Sequence, residues 1–442
     1  TYDPGSTWLS YIKGGVKFQR SRRALYEENV LDAQGDLALV GSGFEGGFLD
    51  TSDIGSPYGT ILKLNPGSIR NWRSIAGQLV ADGVLENDYD GEPRDEDSYT
   101  GTEDIYAGYL MAEAVQGDFE FIGGVRVEYL DFTSDGFEVI ETDEGENVAP
   151  RTSSSNNTQV LPRIQVNYRP TEKLVVRGAA FTSLARPEFA FLNAATEIEI
   201  VDDNSIDAFV GNPDLKPAYA WNFDLGTEYY LSSIGMVSAN AFYKSIDDFI
   251  FVDAAPEGET TIPALDARFP GYTIDIETVF NGNRAEVYGI ELAYMNQFTS
   301  LKGLWGGFGV YANVTLQETS ADTGLDGRDG VPFFNAPDYV GTAALTYQKY
   351  GIEANLAYTF RGDSLEELGP YLIDKYQQAY NTLDGQLRYA VTEKASVYVN
   401  AIDILDDGLD PVVNKTLGKE GRYPEDVTFN GRTVTFGVTV EF

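Results

Sequence analysis

Apolar and polar residues alternate one for one over many stretches of the chain. In residues 432–442, Val434, Phe436, Val438, Val440 and Phe442 are apolar, and Thr433, Thr435, Thr439 and Glu441 between them are polar. A period of two marks the two faces of a β-strand. The run lasts about nine or ten residues, longer than the five or six of an average soluble strand and the length of a tilted strand crossing a bilayer. The same reading predicts about fourteen strands, near 8–24, 104–116, 118–133, 158–169, 172–185, 217–231, 234–252, 278–298, 303–319, 338–348, 350–362, 378–390, 393–404 and 432–442.

The connections between these segments alternate in length. Short ones fall at Gln116, Arg169, Leu231, Phe298, Gln348 and Ala390; long ones span 25–103, 134–157, 186–216, 253–277, 320–337, 363–377 and 405–431. Short turns at one rim and long loops at the other are the habit of an outer-membrane barrel. Parity also sorts the charges. Arg126, Glu128, Arg163, Arg177, Asp224, Glu228, Glu291 and Glu353 all fall on the polar face. Burying so many ions in a dry core would cost several kcal/mol each unless they were paired, so the polar face is expected to line a wet lumen and the apolar face to meet lipid. Tyr168, Tyr229, Tyr294, Tyr347, Tyr389 and Phe442 lie on or beside the apolar face near the short-turn rim, as a headgroup-level girdle requires. One segment departs from the period of two: Ser68–Glu86 places Ile69, Trp72, Ile75, Ala76, Leu79 and Val80 at helical spacing, predicting a helix within the longest loop.

Composition narrows the chemistry. The 442 residues include no cysteine and no histidine, which removes disulfides, thiolate chemistry and histidine-dependent hydrolysis. A formal charge of -38 argues against a nucleic-acid partner, which calls for clustered Lys and Arg. No apolar run reaches the roughly eighteen residues of a membrane helix, and no signal peptide opens the sequence. The motif Gly41–Gly46 spells G-x-G-x-x-G but no strand–helix unit frames it, so it reads as a loop. The acidic stretches 86–104 and 321–330 offer oxygen ligands for a structural Ca²⁺ without the twelve-residue EF-hand spacing; no other cofactor is indicated. A solvated acidic surface bridged to lipopolysaccharide by divalent ions is the plainer reading. For solute capture, the loops supply flat rings and hydrogen-bonding groups at one rim: Trp72, Phe189, Asn212, Tyr272, Asn281, Asn283, Phe334, Arg361, Asp363 and Tyr371.

Several stretches carry a family resemblance. Residues 211–231 followed by 235–251, together with 161–189, 283–298 and 399–407, resemble the barrel of TonB-dependent outer-membrane receptors, and more narrowly a proteobacterial subgroup linked to carbohydrate uptake. The terminal Phe442 matches the aromatic assembly signal of such barrels. The likeness runs from about Tyr11 to Phe442. It implies an all-β, antiparallel transmembrane barrel, with about fourteen strands here of roughly twenty-two in the family. It further implies a plug domain and N-terminal strands that this sequence lacks, energy coupling to the inner-membrane TonB complex through that plug, and uptake of a scarce oligosaccharide or siderophore rather than catalysis. The expected partners are outer-membrane lipid, lipopolysaccharide, the rest of the barrel and the solute. Two other readings stay open at this point: a passive, porin-like pore closed by about fourteen strands, and a soluble or surface-layer adhesive β protein.

Overall fold

The computed structural model describes residues 2, 8–27, 32–33, 49–50, 63–64, 85–86, 94–142, 145–194, 196–202, 205–232, 234–254, 269–325, 327–369, 373–406, 408, 412–419 and 423–441. Long strands dominate: β1 (Leu9–Glu27), β2 (Arg94–Gln116), β3 (Phe119–Thr142), β4 (Gly145–Thr171), β5 (Leu174–Ala185), β6 (Ala218–Ser232), β7 (Gly235–Asp247), β8 (Arg284–Gln297), β9 (Phe308–Asp322), β10 (Tyr339–Lys349), β11 (Ile352–Arg361), β12 (Tyr380–Thr392), β13 (Ala395–Ile402) and β14 (Thr433–Val440). Each pairs antiparallel with the next in chain order. Among the described residues β1 pairs with β2 on one side and meets only an isolated Tyr2–Ile12 bridge besides, and β14 pairs only with β13.

Register fixes which side each residue faces. Leu292, Val314, Gly341 and Phe360 stand opposite one another across β8 to β11, as do Glu291, Thr315, Val340 and Arg361 on the other side. The apolar set is exposed: Val438 is 69 %, Phe436 77 % and Leu225 63 % accessible with no protein covering them. The opposite parity holds the ions and amides. This is the inverse of a soluble sheet, where the apolar face is the one hidden, and it leaves hydrocarbon as the medium outside. The short turns are tight; between β10 and β11 both Tyr350 (φ 56) and Gly351 (φ 77) take the left-handed conformation that a two-residue hairpin turn demands.

The long-loop rim departs from the sequence reading in several places, the first being that the expected loop 25–103 is already strand from Arg94, where β2 pairs with β1. The segment 134–157 is not a loop, because β3 and β4 continue pairing to Thr142–Gly145, far beyond the length a bilayer needs. Phe137 and Val139 still alternate there, and the Ser/Thr-rich partner stretch keeps its ladder bonds in water. The run 234–252 is not one strand: at Asp248 (φ 54) the chain turns out of the wall, and Ile250–Ala254 pairs with Thr273–Asn281 instead. The run 278–298 likewise breaks at Gly282 and Asn283, where Gly282 passes so close to the Phe249 ring that a Cβ would lie 2.2 Å from it. The helix predicted over Ser68–Glu86 lies outside the described residues except for Leu85–Glu86, which form a short strand paired to Asp32–Ala33.

An extension of the wall sheet and a separate four-stranded sheet roof the rim. Thr196–Asp202 lies parallel to Glu138–Glu141 of β3 and antiparallel to Ser205–Val210, which continues through Thr273–Asn281 to Ile250–Ala254. The other joins Ser364–Glu367, Lys375–Gln377, Val412–Leu417 and Tyr423–Thr428. The buried apolar clusters gather here and at the rim ends of the wall strands, which contribute Phe132, Ala285 and Ala321. Ile198, Ile206 and Ile274 form one cluster, and Phe249, Phe251, Leu365, Leu368 and Tyr376 form another against Phe333 and Phe334.

Candidate functional site

The inward face of the wall carries clusters of hydrogen-bonded polar side chains. Arg169 and Asn167 both donate to Glu120 (2.8 and 2.9 Å), Gln165 donates to Asn167 and Arg163 to Gln165. Arg177 and Tyr230 share Glu228 (3.1 and 2.7 Å), Asn240 donates to Glu291 (3.2 Å), and Arg388 meets Glu353 (3.3 Å). Each pair joins adjacent strands or neighbouring same-face positions, so the register that exposes the apolar side also assembles this network. The guanidinium of Arg163, 5.7 Å above the Phe181 ring, has Gln165 as its hydrogen-bond partner.

Above this wall, at the long-loop rim, a cavity of about 290 Å³ is lined by Glu103, Ser155, Asn157, Arg186, Asp214 and Lys216 among others. Three strands and one loop build it. Glu103 of β2 stands opposite Phe132 of β3, and Ser155 of β4 opposite the same Phe132, so all three point inward. Arg186 leaves the end of β5 and pairs with Glu128, which Arg126 also grips at 2.6 Å through Nε. With Glu128 only 9 % exposed, the two guanidinium groups compensate a charge that would otherwise be costly to bury. Asn157 Oδ1 is buried without a hydrogen-bond partner, an acceptor left free beside the cavity. The cavity therefore offers carboxylate, amide and hydroxyl acceptors together with guanidinium and ammonium donors.

The residues singled out from sequence are scattered around the rim. Asn212 and Asn281 come together on one turn: Asn212 Nδ2 donates to the Val279 carbonyl (2.9 Å), while Asn281 accepts from the Lys216 amide (2.8 Å) and donates back to the Lys216 carbonyl (3.0 Å). They hold the Gly211–Pro217 turn whose Asp214 and Lys216 line the cavity. Phe189 packs edge-on to Phe132 (5.4 Å) beneath Arg23 (5.3 Å). Phe334 stacks on Phe251 (5.8 Å), and Tyr272 meets Phe269 edge-on (6.1 Å). Asn283 donates to Asp322 (3.2 Å). Arg361 donates to Ser364 (2.8 Å) and Gln377 (2.6 Å), and Asp363 is 3.9 Å from Lys419. Trp72, Tyr371 and Phe442 lie outside the described residues. Sequence reasoning did not find Glu103, Ser155, Asn157, Arg186, Asp214 and Lys216 as one site; an inward parity at the last polar turn of each strand is the signal that points to them.

In the 321–330 stretch, Asp322 is engaged by Asn283 and by the Gly324 amide (2.9 Å), and among the described residues no three acidic side chains converge as a metal site. Charge pairs instead tie the outer sheets. Lys375 lies 3.0 Å from both Glu425 and Glu367, whose hydrogen bonds hold its ammonium above the usual lysine range. Asp406 accepts from the Gly431 and Gly408 amides (3.0 and 2.7 Å), which hold its carboxyl below the usual range.

A family model described as TonB dependent receptor-like, beta-barrel, matches residues 1–404. The chain belongs to that family. Its wall is thus a wall of the bacterial outer membrane, and the reading as a soluble or surface-layer adhesive protein is set aside. Among solved structures it is similar to the siderophore receptor PiuA from Acinetobacter baumannii, with 15% identity, TM-score 0.61, and coverage of 99% of this chain and 54% of that one. It is similar also to the ferric-catecholate import receptor Fiu from E. coli K12, at 16% identity and TM-score 0.58 over 98% of this chain and 52% of that chain. The iron-regulated outer membrane virulence protein of Vibrio cholerae is 26% identical over 201 residues, 44% of this chain and 28% of that protein. The chain spans about half the length of these solved relatives. The family is one of receptors, which does not favour the self-closed passive pore.

Proposed function

We propose that the chain forms part of an outer-membrane receptor that captures a scarce solute at the rim cavity and passes it along the polar wall, driven by the inner-membrane TonB complex. The observation that carries this reading is that one inward face holds donors and acceptors both at the cavity of Arg186, Glu103 and Asn157 and lower on the wall at Glu228 and Glu291. A solute shedding water at the mouth meets replacement hydrogen bonds at each step, and the exposed apolar side gives it no competing path. The protein acts as a transporter rather than an enzyme. Energy coupling rests on family membership.

The cargo is a siderophore-type chelate. The solved relatives named above are a siderophore receptor and a ferric-catecholate import receptor, and oxygen-rich chelates suit Arg186 and Lys216 as donors with Glu103 and Asn157 as acceptors for free hydroxyls. An oligosaccharide presents similar hydroxyls and is the competing cargo, favoured by the narrower subgroup resemblance of the sequence. Cells expressing the intact receptor under iron limitation are expected to accumulate radiolabelled ferric chelate, and to stop when the proton-motive force is collapsed. Uptake indifferent to that collapse contradicts active transport; accumulation of labelled oligosaccharide but no chelate transfers the reading to sugars.

A further inference from the structure

On the lipid-facing side, β9 to β13 leave a groove of about 390 Å³ lined by Phe308, Leu345, Ala354, Leu356, Gly385 and Leu387. It exists because small residues sit where neighbouring strands carry leucine or tyrosine: a Cβ at Gly385 would meet only Ile404 at 3.2 Å and Leu356 at 3.6 Å. Its depth is set by register. Ala354 stands opposite Tyr347, three residues from the tight turn at Tyr350 and Gly351, so the groove opens in the half of the membrane nearer the short-turn rim.

Directly below it the turn between β8 and β9 has a composition unlike the other short turns. Its 3-10 segment Gly303–Gly307 exposes Leu304 (65 %) and Trp305 (68 %), and the Trp305 ring lies 5.9 Å from Phe308 at the mouth of the groove. Lys349 Nζ donates to the Gly303 carbonyl (2.7 Å) and stands 5.3 Å from the Tyr350 ring; Lys302 is exposed in the same turn. An indole and ammonium groups at one level, beneath an apolar slot, match the chemistry of a headgroup above a hydrocarbon chain.

We propose that this is a binding site for one anionic phospholipid of the periplasmic leaflet, with an acyl chain in the groove and its phosphate within reach of Lys349 and Lys302. The groove is apolar and faces hydrocarbon, so water has no partners there and a chain is the material that fills it. The phosphate is drawn to these lysines by their positive charge at headgroup level. Lipopolysaccharide lies in the opposite leaflet, at the wrong depth for this turn.

The test is lipid analysis of the receptor excised in polymer nanodiscs directly from outer membranes. Phosphatidylglycerol is expected to be enriched several-fold over the bulk membrane, Lys349→Glu to abolish the enrichment, Ala354→Leu to lower retained lipid by filling the groove, and Lys394→Gln at another short turn to change nothing. Should a variant fail to fold, brominated phosphatidylglycerol added to the unmodified protein is expected to quench a fluorescence component that Trp305→Phe removes. Bulk lipid composition around the unmodified protein, enrichment that survives both substitutions, or crosslinks showing a second copy seated on the groove would each overturn the proposal. Solute uptake does not enter these readouts, so their failure leaves the transport reading untouched.

Discussion

Arg186 and Glu128 show how a single contact serves both the wall and its mouth. Arg186 reaches from the end of β5 to a carboxylate that is mostly withdrawn from water, and Arg126 secures the same group. Replacing Arg186 with Ala removes a cavity donor and leaves Glu128 under-compensated, so solute affinity is expected to fall by roughly tenfold or more, the ~1.5–3 kcal/mol of a charged hydrogen bond. Titration calorimetry with the ferric chelate checks it; Arg186→Lys should recover part of the loss. A second residue-scale expectation concerns acid. Asp406 has its folded pKa held below the ordinary value by two amide donors, so its contribution is complete above the unfolded carboxylate pKa of about 3.9 and disappears as pH falls through the folded value. Amide exchange at Gly408 and Gly431, corrected for intrinsic rate, should therefore show protection at pH 6 that fades below about pH 4. Equal protection at both pH values would detach the carboxylate from that turn. These contacts were beyond the reach of sequence reading. Glu103, Ser155 and Arg186 meet only because of strand register, which no local pattern specifies, and the aromatics that stood out, Phe189 and Phe334, stand out because rings pack well against one another.

At the scale of elements, the strands divide into a membrane part and a rim part with different physics. Within the membrane, alternation was legible because each face has one medium along its whole length, and the inward ions Arg177, Glu228 and Glu291 fall where parity put them. Leu356→Arg on the lipid side is accordingly expected to cost about 2–4 kcal/mol if it lies near the bilayer midplane, whereas Asn355→Arg, its lumen-facing neighbour, should cost little. Folding into lipid vesicles across a urea series measures both, and equal costs would contradict the facing. At the rim the medium is water or other loops, and the pattern lost its meaning. The runs 234–252 and 278–298 looked continuous because both halves are apolar-rich, yet the first run begins in the wall and ends in a sheet roofing it, and the second begins in that roof and ends in the wall. That roof depends on Leu365, fully buried among Phe249, Phe251 and Tyr376. Leu365→Ala should weaken it by about 2–5 kcal/mol, the cost of an incompletely collapsed cavity. Protease cleavage within 364–377 is expected to accelerate while the electrophoretic mobility of the folded wall stays unchanged.

For the whole molecule, one division of surfaces organises everything else: hydrocarbon outside, water inside, and packed apolar clusters concentrated at the rim. Family membership and the outer-membrane location follow from that division together with the match over residues 1–404. The transport reading follows from what the wet side offers a solute, and the lipid site from what the oily side offers a bilayer. The most direct test labels Leu356 and Asn355, adjacent in β11, one at a time with a nitroxide in the receptor reconstituted in lipid. Oxygen dissolved in the bilayer should relax the label at 356 more strongly than a water-soluble nickel chelate, and the order should reverse at 355. The same preference at both positions, or the opposite assignment, would contradict the account.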